Sequence, residues 1–505
     1  METTTEKKWS LQQLAIFVWF TSGIGNLIVR ARAGTGKTTT IIEAVKHAGH
    51  EVKILLAAFN RRIYLELDKR VKELGEAVKN VEVRTLHALG FRFILRQWPN
   101  AKIDETGQVD TDRVIKVVGA QAADTVMGLV PMVRKLAGLL KNIHPFTYNI
   151  NDVMDLAFRF DCEPTEEQIR DGWDLERVCR AAGKARDAAM VKDAEGRISF
   201  DDMVYVPLAN GFCRPWFSMV VVDEAQDMNY SQLLLAQKAC KPRGRIVVVG
   251  DDYQAIYGFR GADEGSLDRL KQDLRAIELG LTTTYRCGRS IVDVARAIVP
   301  DFNAGEGNPD GIVDGCSADA LYELAQPGDF ILSRKNARLM PLCLGFLKRG
   351  IRCRIEGKDV GKQLRETVQS FKARTVPEFI ARVQGWGKKR NARICKKLAN
   401  NEELRAAKLD ELADSVEMLT ALADGCGSIS EVLARTETLF GDSADGDALP
   451  TIICSSVHKA KGLEATRVFI LADTVNTRNR EESNIYYVAV TRAKARLTWA
   501  MPVAA

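Results

Sequence analysis

Short runs of consecutive apolar residues recur along the chain. The first group lies at 27–29, 54–56, 219–222 and 246–249, just before clusters of glycine or carboxylate residues, and further runs follow at 330–332, 451–453 and 468–471. Runs this short, unbroken by polar positions and separated by helical patterns, predict parallel strands buried on both faces. Two stretches lack them. Residues 91–197 and about 366–446 carry helical periodicity, with Val133, Leu136 and Leu140 falling on one face. The pattern predicts an α/β chain with more than one sheet and with helical insertions between strand-rich blocks. Glycine-rich loops at 305–309 and 441–450 mark seams.

Length and composition narrow the class without choosing a function. The chain has 505 residues, enough for roughly three units at about 150 residues each. Hydrophobic residues make up 46% and charged residues 27%, which excludes collagen-like, low-complexity and wholly disordered chains. Lys and Arg number 72 against 66 Asp and Glu, a net charge of +6, too weak a bias to identify a polyanionic partner. The 11 cysteines are scattered and form no C-x-x-C pair, so reduced thiols and a cytoplasmic setting are expected, without zinc or iron–sulfur ligation. No apolar run is long enough to span a membrane. Lys7 and Lys8 followed by the apolar run 14–20 outline a signal peptide, but Glu2, Glu6, Gln12 and Gln13 interrupt it.

The sharpest chemical feature is Ala31-Arg32-Ala33-Gly34-Thr35-Gly36-Lys37-Thr38, which follows the run 27–29 and opens a helical pattern. A phosphate chain needs backbone N–H donors that approach closely, hence Gly34 and Gly36. It also needs a cation, Lys37, and a hydroxyl, Thr38, for Mg²⁺. The first position is Ala31 where the strict pattern has glycine. A second carboxylate site is needed to hold the metal and orient water, and Asp223 and Glu224 supply it at the end of the run 219–222.

These residues open a wider resemblance. In order along the chain, Phe59-Asn60-Arg61, Thr85-Leu86-His87, Asp223–Asp227, the stretch 250–261, Thr284-Tyr285-Arg286, His458–Glu464 and the stretch 487–493 resemble the motifs of the UvrD/PcrA/Rep branch of superfamily 1 helicases. The resemblance implies two RecA-like cores with the ATP site in the cleft between them. Lys37, Thr38, Asp223, Glu224 and Gln254 would act from one side, and Arg286 and Arg492 would contact the γ-phosphate from the other. Nucleotide binding would involve Ala33 to Thr39, with Tyr285 stacking on adenine, Glu464 holding the ribose and Gln13 (or Gln12) reading the adenine edge. Phe59, Tyr257 and Phe259 would stack on bases, with Asn60, Thr85, His87, Arg260 and His458 as polar contacts or coupling residues. The sequence departs from the family in two places. Thr39 stands where an arginine often sandwiches adenine, and Phe259 stands where tryptophan is usual.

Two further features have weaker readings. Arg382, Lys388, Lys389, Arg390, Arg393, Lys396 and Lys397 surround Trp386 with no acid from 382 to 397, which suits either a grip on duplex DNA or a solvated helix face. Asp329 with Glu356 and Lys358 mimics a nuclease trio inside ordinary second-core sequence.

The expected organisation is a first core from 1–90 and 198–275 with an insertion at 91–197, and a second core from 276–365 and 447–505 with an insertion at 366–446. The expected function is ATP-dependent translocation on single-stranded DNA and unwinding at single-strand/duplex junctions. The 3′→5′ direction follows from the resemblance of the stretch 458–464. The alternative is an ATP-gated DNA-binding module that recruits or licenses a partner, such as a nuclease or a replication, repair or defence protein.

Overall fold

The apolar runs become parallel strands because alternate residues can bury on opposite faces of one sheet. In the computed structural model, which describes residues 8–256, 266–397, 402–440 and 451–501, the first unit contains β1 (Leu27–Ala31), β2 (Ile54–Ala58), β3 (Val81–Thr85), β4 (Lys102–Ile103), β5 (Arg197–Ile198), β6 (Phe217–Val222), β7 (Cys240–Gly250) and β8 (Ile277–Leu281). Six of these form an all-parallel sheet in the order β3-β2-β6-β7-β1-β8. Ile28, Leu55, Val220, Val222 and Val248 pack on one side with Leu86, Leu89 and Phe93. Leu27, Val29, Ile54, Met219 and Val247 pack on the other, against Ile16, Phe17 and Phe20. The apolar run near the N-terminus is thus part of this core. Its helix, Leu11–Ser22, begins at a capping box formed by Ser10 and Gln13.

Between β4 and β5, which pair with each other, lie six α-helices from Gln108–Val118 to Leu175–Asp187. Val133, Leu136 and Leu140 do share a buried face there, in a cluster with Leu156 and Val178 that is separate from the sheet's own clusters.

The second unit holds β9 (Thr283–Thr284), β10 (Asn303–Ala304), β11 (Ile312–Ser317), β12 (Phe330–Ser333), β13 (Cys353–Ile355), β14 (Ile452–Ser456), β15 (Ala465–Leu471) and β16 (Ala493–Met501). Its main sheet is also six-stranded and parallel, in the order β11-β16-β15-β12-β14-β13. The helices Lys358–Ser370, Val376–Lys397, Glu402–Ala423 and Ile429–Phe440 follow β13. Here Phe379, Val383, Leu419 and Leu439 join Ile331, Cys454 and Phe469 in one continuous cluster.

The units are Met1–Thr282 and Thr283–Ala505, so the seam falls beyond the expected 275/276. The reason is β8, which pairs along β1 from Leu27↔Ile277 to Ala31↔Leu281. Among the described residues no helix is long and apolar enough to cross a membrane.

The nuclease-like trio does not assemble. Asp329 precedes β12 and Glu356 follows β13, at opposite ends of one parallel sheet. Asp329 accepts from the Gln326 N–H at 2.7 Å and faces Arg467 at 3.4 Å. Glu356 faces Arg354 at 3.6 Å.

Candidate nucleotide site and nucleic-acid interface

The order β6-β7-β1 brings three strand ends side by side, where open parallel sheets bind ligands. From β1 the chain turns through Ala33 and Thr35, both buried, and two left-handed glycines, Gly34 (φ +68°) and Gly36 (φ +76°). Gly36 is the N-cap of the helix Lys37–Ala44 and offers no side-chain cap, so the amides of the first turn stay directed at an anion.

Asp223 and Glu224 follow β6 directly. The Lys37 Nζ lies 3.2 Å from a Glu224 carboxylate oxygen, and the Thr38 hydroxyl lies 3.5 Å from Asp223. Glu224 is left-handed at φ +51°, a conformation that costs a side-chain-bearing residue about 1–2 kcal/mol. The Gln226 amide donates to the Glu224 carboxylate at 2.5 Å, and its oxygen accepts from the Asp251 N–H at 3.1 Å. A Cβ at Gly250 would stand 2.7 Å from that oxygen, so a larger residue there would push the Gln226 amide from its place. The Gln254 amide donates to Asp251 at 2.7 Å, and Arg32 reaches Asp251 at 3.4 Å and Asp252 at 3.1 Å.

The electrostatics suit a polyanion accompanied by a cation. Burial works against the Lys37 charge, but Glu224, Asp251 and Asp223 outweigh it and raise the pKa. Burial, and then the Glu224 charge, push Asp223 up to about 7. A crowded acid pair beside a hydroxyl is a hard-oxygen donor set that a divalent ion such as Mg²⁺ relieves.

Around the expected base, Gln13 is buried. Its amide donates to the Thr40 hydroxyl at 2.9 Å and accepts from the Ser10 N–H at 3.0 Å. Gln12 instead holds Thr282, through its hydroxyl at 2.9 Å and its N–H at 3.0 Å. Thr39 accepts from Arg70 at 3.3 Å, a partner that spacing along the chain did not suggest.

In the second unit Tyr285 is exposed and Arg286 follows β9. Arg286 is paired with Glu464 at 2.5 Å, and Lys494 holds the other Glu464 oxygen at 2.5 Å. Burial pushes the Glu464 pKa up, but Lys494, Arg286 and Arg492 bring it below the usual range. The register Ala465↔Ala493 explains the meeting, since Glu464 and Arg492 each precede one of these paired residues. Arg492 is buried and donates to the Val488 carbonyl at 2.9 Å, the Leu463 carbonyl at 3.1 Å and the Thr491 hydroxyl at 3.3 Å. Burial, then Arg286, lower its pKa to about 10.

Among the residues expected at nucleic acid, Phe59 packs partly into the first core. Asn60 and Thr85 are N-caps, accepting from the Ile63 and Ala88 N–H groups at 3.0 and 3.2 Å. His87 stacks on Phe200 at 4.0 Å between ring centroids, and burial lowers its pKa to about 4. Phe200 is itself 60% exposed, a flat apolar face in contact with water that the sequence reading missed. Two residues on, Asp202 is buried between Lys141 at 2.7 Å and Arg113 at 2.5 Å, and accepts from the Ser199 N–H at 2.9 Å. His458 is half-buried on the short helix Val457–Ala460. Tyr257, Phe259 and Arg260 lie outside the described residues. On the helix Val376–Lys397, Lys388, Lys389 and Lys396 are exposed, Arg390 and Arg393 are half-buried, and Trp386 packs against Phe371.

Two six-stranded parallel sheets, the first with a phosphate loop at its strand ends, define a protein of two RecA-like cores. A family model for the UvrD/REP helicase N-terminal domain matches residues 19–275, and one for the UvrD-like helicase C-terminal domain matches residues 356–501. The chain belongs to the UvrD/REP helicase family. It is similar to the ATP-dependent DNA helicase Rep of Salmonella typhimurium, 27% identical over 297 residues covering 54% of this chain and 41% of that protein. It is also similar to DNA helicase II of Escherichia coli, 24% identical over 290 residues covering 55% and 39%. The ATP-dependent DNA helicase PcrA of Bacillus subtilis is 23% identical over 296 residues covering 54% and 37%. The chain therefore spans about two-fifths of the length of these relatives.

Proposed function

We propose that the protein is an ATP-driven cytoplasmic motor that moves 3′→5′ along single-stranded DNA and separates strands at single-strand/duplex junctions. The observation that carries this reading is the convergence of Lys37, Thr38, Asp223, Glu224 and Gln254 at three adjacent strand ends in a chain of this family.

Lys37 would bind the β- and γ-phosphates, exchanging Glu224 for them. Thr38 and Asp223 would hold Mg²⁺, which would neutralise phosphate charge. Glu224, released from Lys37, would take the proton of the water that attacks the γ-phosphorus as the bond to the bridging oxygen breaks. Gln254 would sense the γ-phosphate. Arg286 and Arg492 would balance the charge that spreads over the transferred phosphoryl oxygens. Glu464 and Tyr285 would engage ribose and base. Single-stranded DNA would be gripped by stacking on Phe59, Phe200, Tyr257 and Phe259, with Asn60, Thr85, Arg260 and His458 as polar contacts, while His87 backs Phe200.

ATPase rate with and without single-stranded DNA, alongside displacement from 3′- and 5′-tailed duplexes, tests the reading. Stimulated turnover with displacement from the 3′-tailed substrate is expected. ATPase indifferent to DNA would refute it. The short helical addition after β13, built of the helices Lys358–Ser370, Val376–Lys397, Glu402–Ala423 and Ile429–Phe440 among the described residues, supports a second reading, an ATP-gated DNA-binding module that licenses a nuclease or another replication, repair or defence partner. DNA-stimulated ATPase without displacement is its expected result.

A further inference from the structure

Arg32 is the first residue after β1, and its side chain is buried. A buried guanidinium needs partners for its charge and for its fixed fork of donors. Arg32 finds them in three consecutive residues. One Nη reaches Asp251 Oδ1 at 3.4 Å and Asp252 Oδ1 at 3.1 Å, and the guanidinium carbon lies 4.7 Å from the centre of the Tyr253 ring. The next residue is Gln254. The two oxygens of the buried Asp251 carboxylate thus have different duties: Oδ1 takes Arg32 and the Tyr253 N–H at 3.3 Å, and Oδ2 takes the Gln254 amide at 2.7 Å. An ionised carboxylate only accepts, so it binds the NH₂ end of that amide and decides which way the amide faces.

The backbone of Arg32 is fixed as well. Its N–H donates to the Leu281 carbonyl of β8 at 2.8 Å, and its carbonyl accepts from the Thr35 hydroxyl at 2.9 Å and the Thr35 N–H at 3.4 Å. One residue closes a turn of the phosphate loop with its main chain and holds the Asp251 carboxylate with its side chain. Arg30, two residues earlier on β1, holds the other oxygen of Asp252 at 2.8 Å, so the pair Asp251-Asp252 is tied to the β1 segment at two points. Position 32 is one that the phosphate-loop pattern leaves unspecified.

We propose that Arg32 is a positioning residue: through Asp251 it sets the orientation of the Gln254 amide and couples that amide to the phosphate loop. Contact between Gln254 and a γ-phosphate then depends on position 32. The proposal rests on the reading of Gln254 as the γ-phosphate sensor.

The test titrates the full chain, with Mg²⁺, by calorimetry against ADP and against adenylyl imidodiphosphate, an ATP analogue whose β–γ bridge is not cleaved. The readout is the ratio of the two affinities, which a general loosening of the fold does not move. Arg32→Gln should shift that ratio against the analogue by about tenfold, as expected for one hydrogen bond to a charged group. Gln254→Ala should give the same shift, and the double variant no more than either alone, because both changes remove one contact. Arg32→Lys, which keeps the charge beside Asp251, should restore most of the ratio. If Arg32→Gln loses its cooperative thermal transition, combining it with Asp251→Asn removes both buried charges and should show the same shift. An unmoved ratio or an equal loss for both ligands in the Arg32→Gln chain, no rescue by Arg32→Lys, or a double variant shifted by about a hundredfold, as for independent sites, would overturn the positioning role and leave the sensor reading intact. An unmoved ratio in Gln254→Ala would overturn the sensor reading and the proposal with it. A wild-type chain that binds neither ligand would overturn nucleotide binding itself.

Discussion

In the first unit acids crowd the strand ends and cations are drawn to them, with Asp223, Glu224 and Asp251 gathered around Lys37 and Arg32 behind. In the second unit cations crowd and one carboxylate serves them, since Glu464 lies between Arg286 and Lys494. The helical additions differ as well. The first has a hydrophobic cluster of its own, while the second shares the cluster of its sheet. Under the proposed function the first unit would receive a polyanion with its metal, and the second would supply positive charge. Lys37 and Arg286 are each paired with a carboxylate, Glu224 and Glu464, that a phosphate would displace under the proposed function. These two ion pairs are the contacts that the proposed chemistry would have to break.

The strongest way to break this asymmetry is Arg286→Ala. Turnover at saturating ATP and single-stranded DNA should fall about 10³- to 10⁵-fold, the range of an arginine finger. A fall of less than tenfold would remove the second unit from the chemistry. On the first unit's side, Glu224→Gln should cost about 10²- to 10⁴-fold in turnover, as for a lost general base. It should spare ATP binding by calorimetry, and normal turnover would refute the role of Glu224.

The third test compares two buried basic side chains, Arg492 with Glu464 nearby and His87 with burial as the one cause of its shift. Arg492 remains a cation at neutral pH despite burial, whereas burial alone keeps His87 neutral down to about pH 4. An unfolded histidine binds its proton near pH 6.5, before the folded one does, so the unfolded chain gains protons first as pH falls. The stability associated with neutral His87 is complete above pH 6.5 and is lost as pH drops through 4, by up to about 3 kcal/mol. His87→Gln should therefore flatten part of the denaturation profile between these limits. A slope identical to wild type would show that His87 is solvated.

The parts of this molecule legible in its sequence are those coded locally. Gly34, Gly36 and Lys37 are adjacent, and the central strands β1, β2, β6 and β7 are apolar on both faces, so their runs stand out. The edge strands do not. β3 reads Val-Glu-Val-Arg-Thr and is half-buried throughout, and β8 begins at an exposed Ile277. Alternating polar residues, which suit strands with one open side, leave little periodic signal. Phe200 becomes meaningful only when it lands on His87, and Arg70 only when helix packing brings it to Thr39. Long-range neighbours of this kind are set by tertiary packing, which no single stretch encodes. Asn60 and Thr85 carry a further lesson, since each also caps a helix. Their polar side chains would be favoured there even without a ligand.

The left-handed backbone at Glu224 bears on how this chain would respond to artificial selection. Position 224 favours glycine or asparagine on conformational grounds, and losing its charge would also relieve repulsion with Asp223. A mutant library enriched only for heat tolerance, with turnover left unscreened, should accumulate replacements at this corner. The survivors would be hardier proteins that no longer turn over.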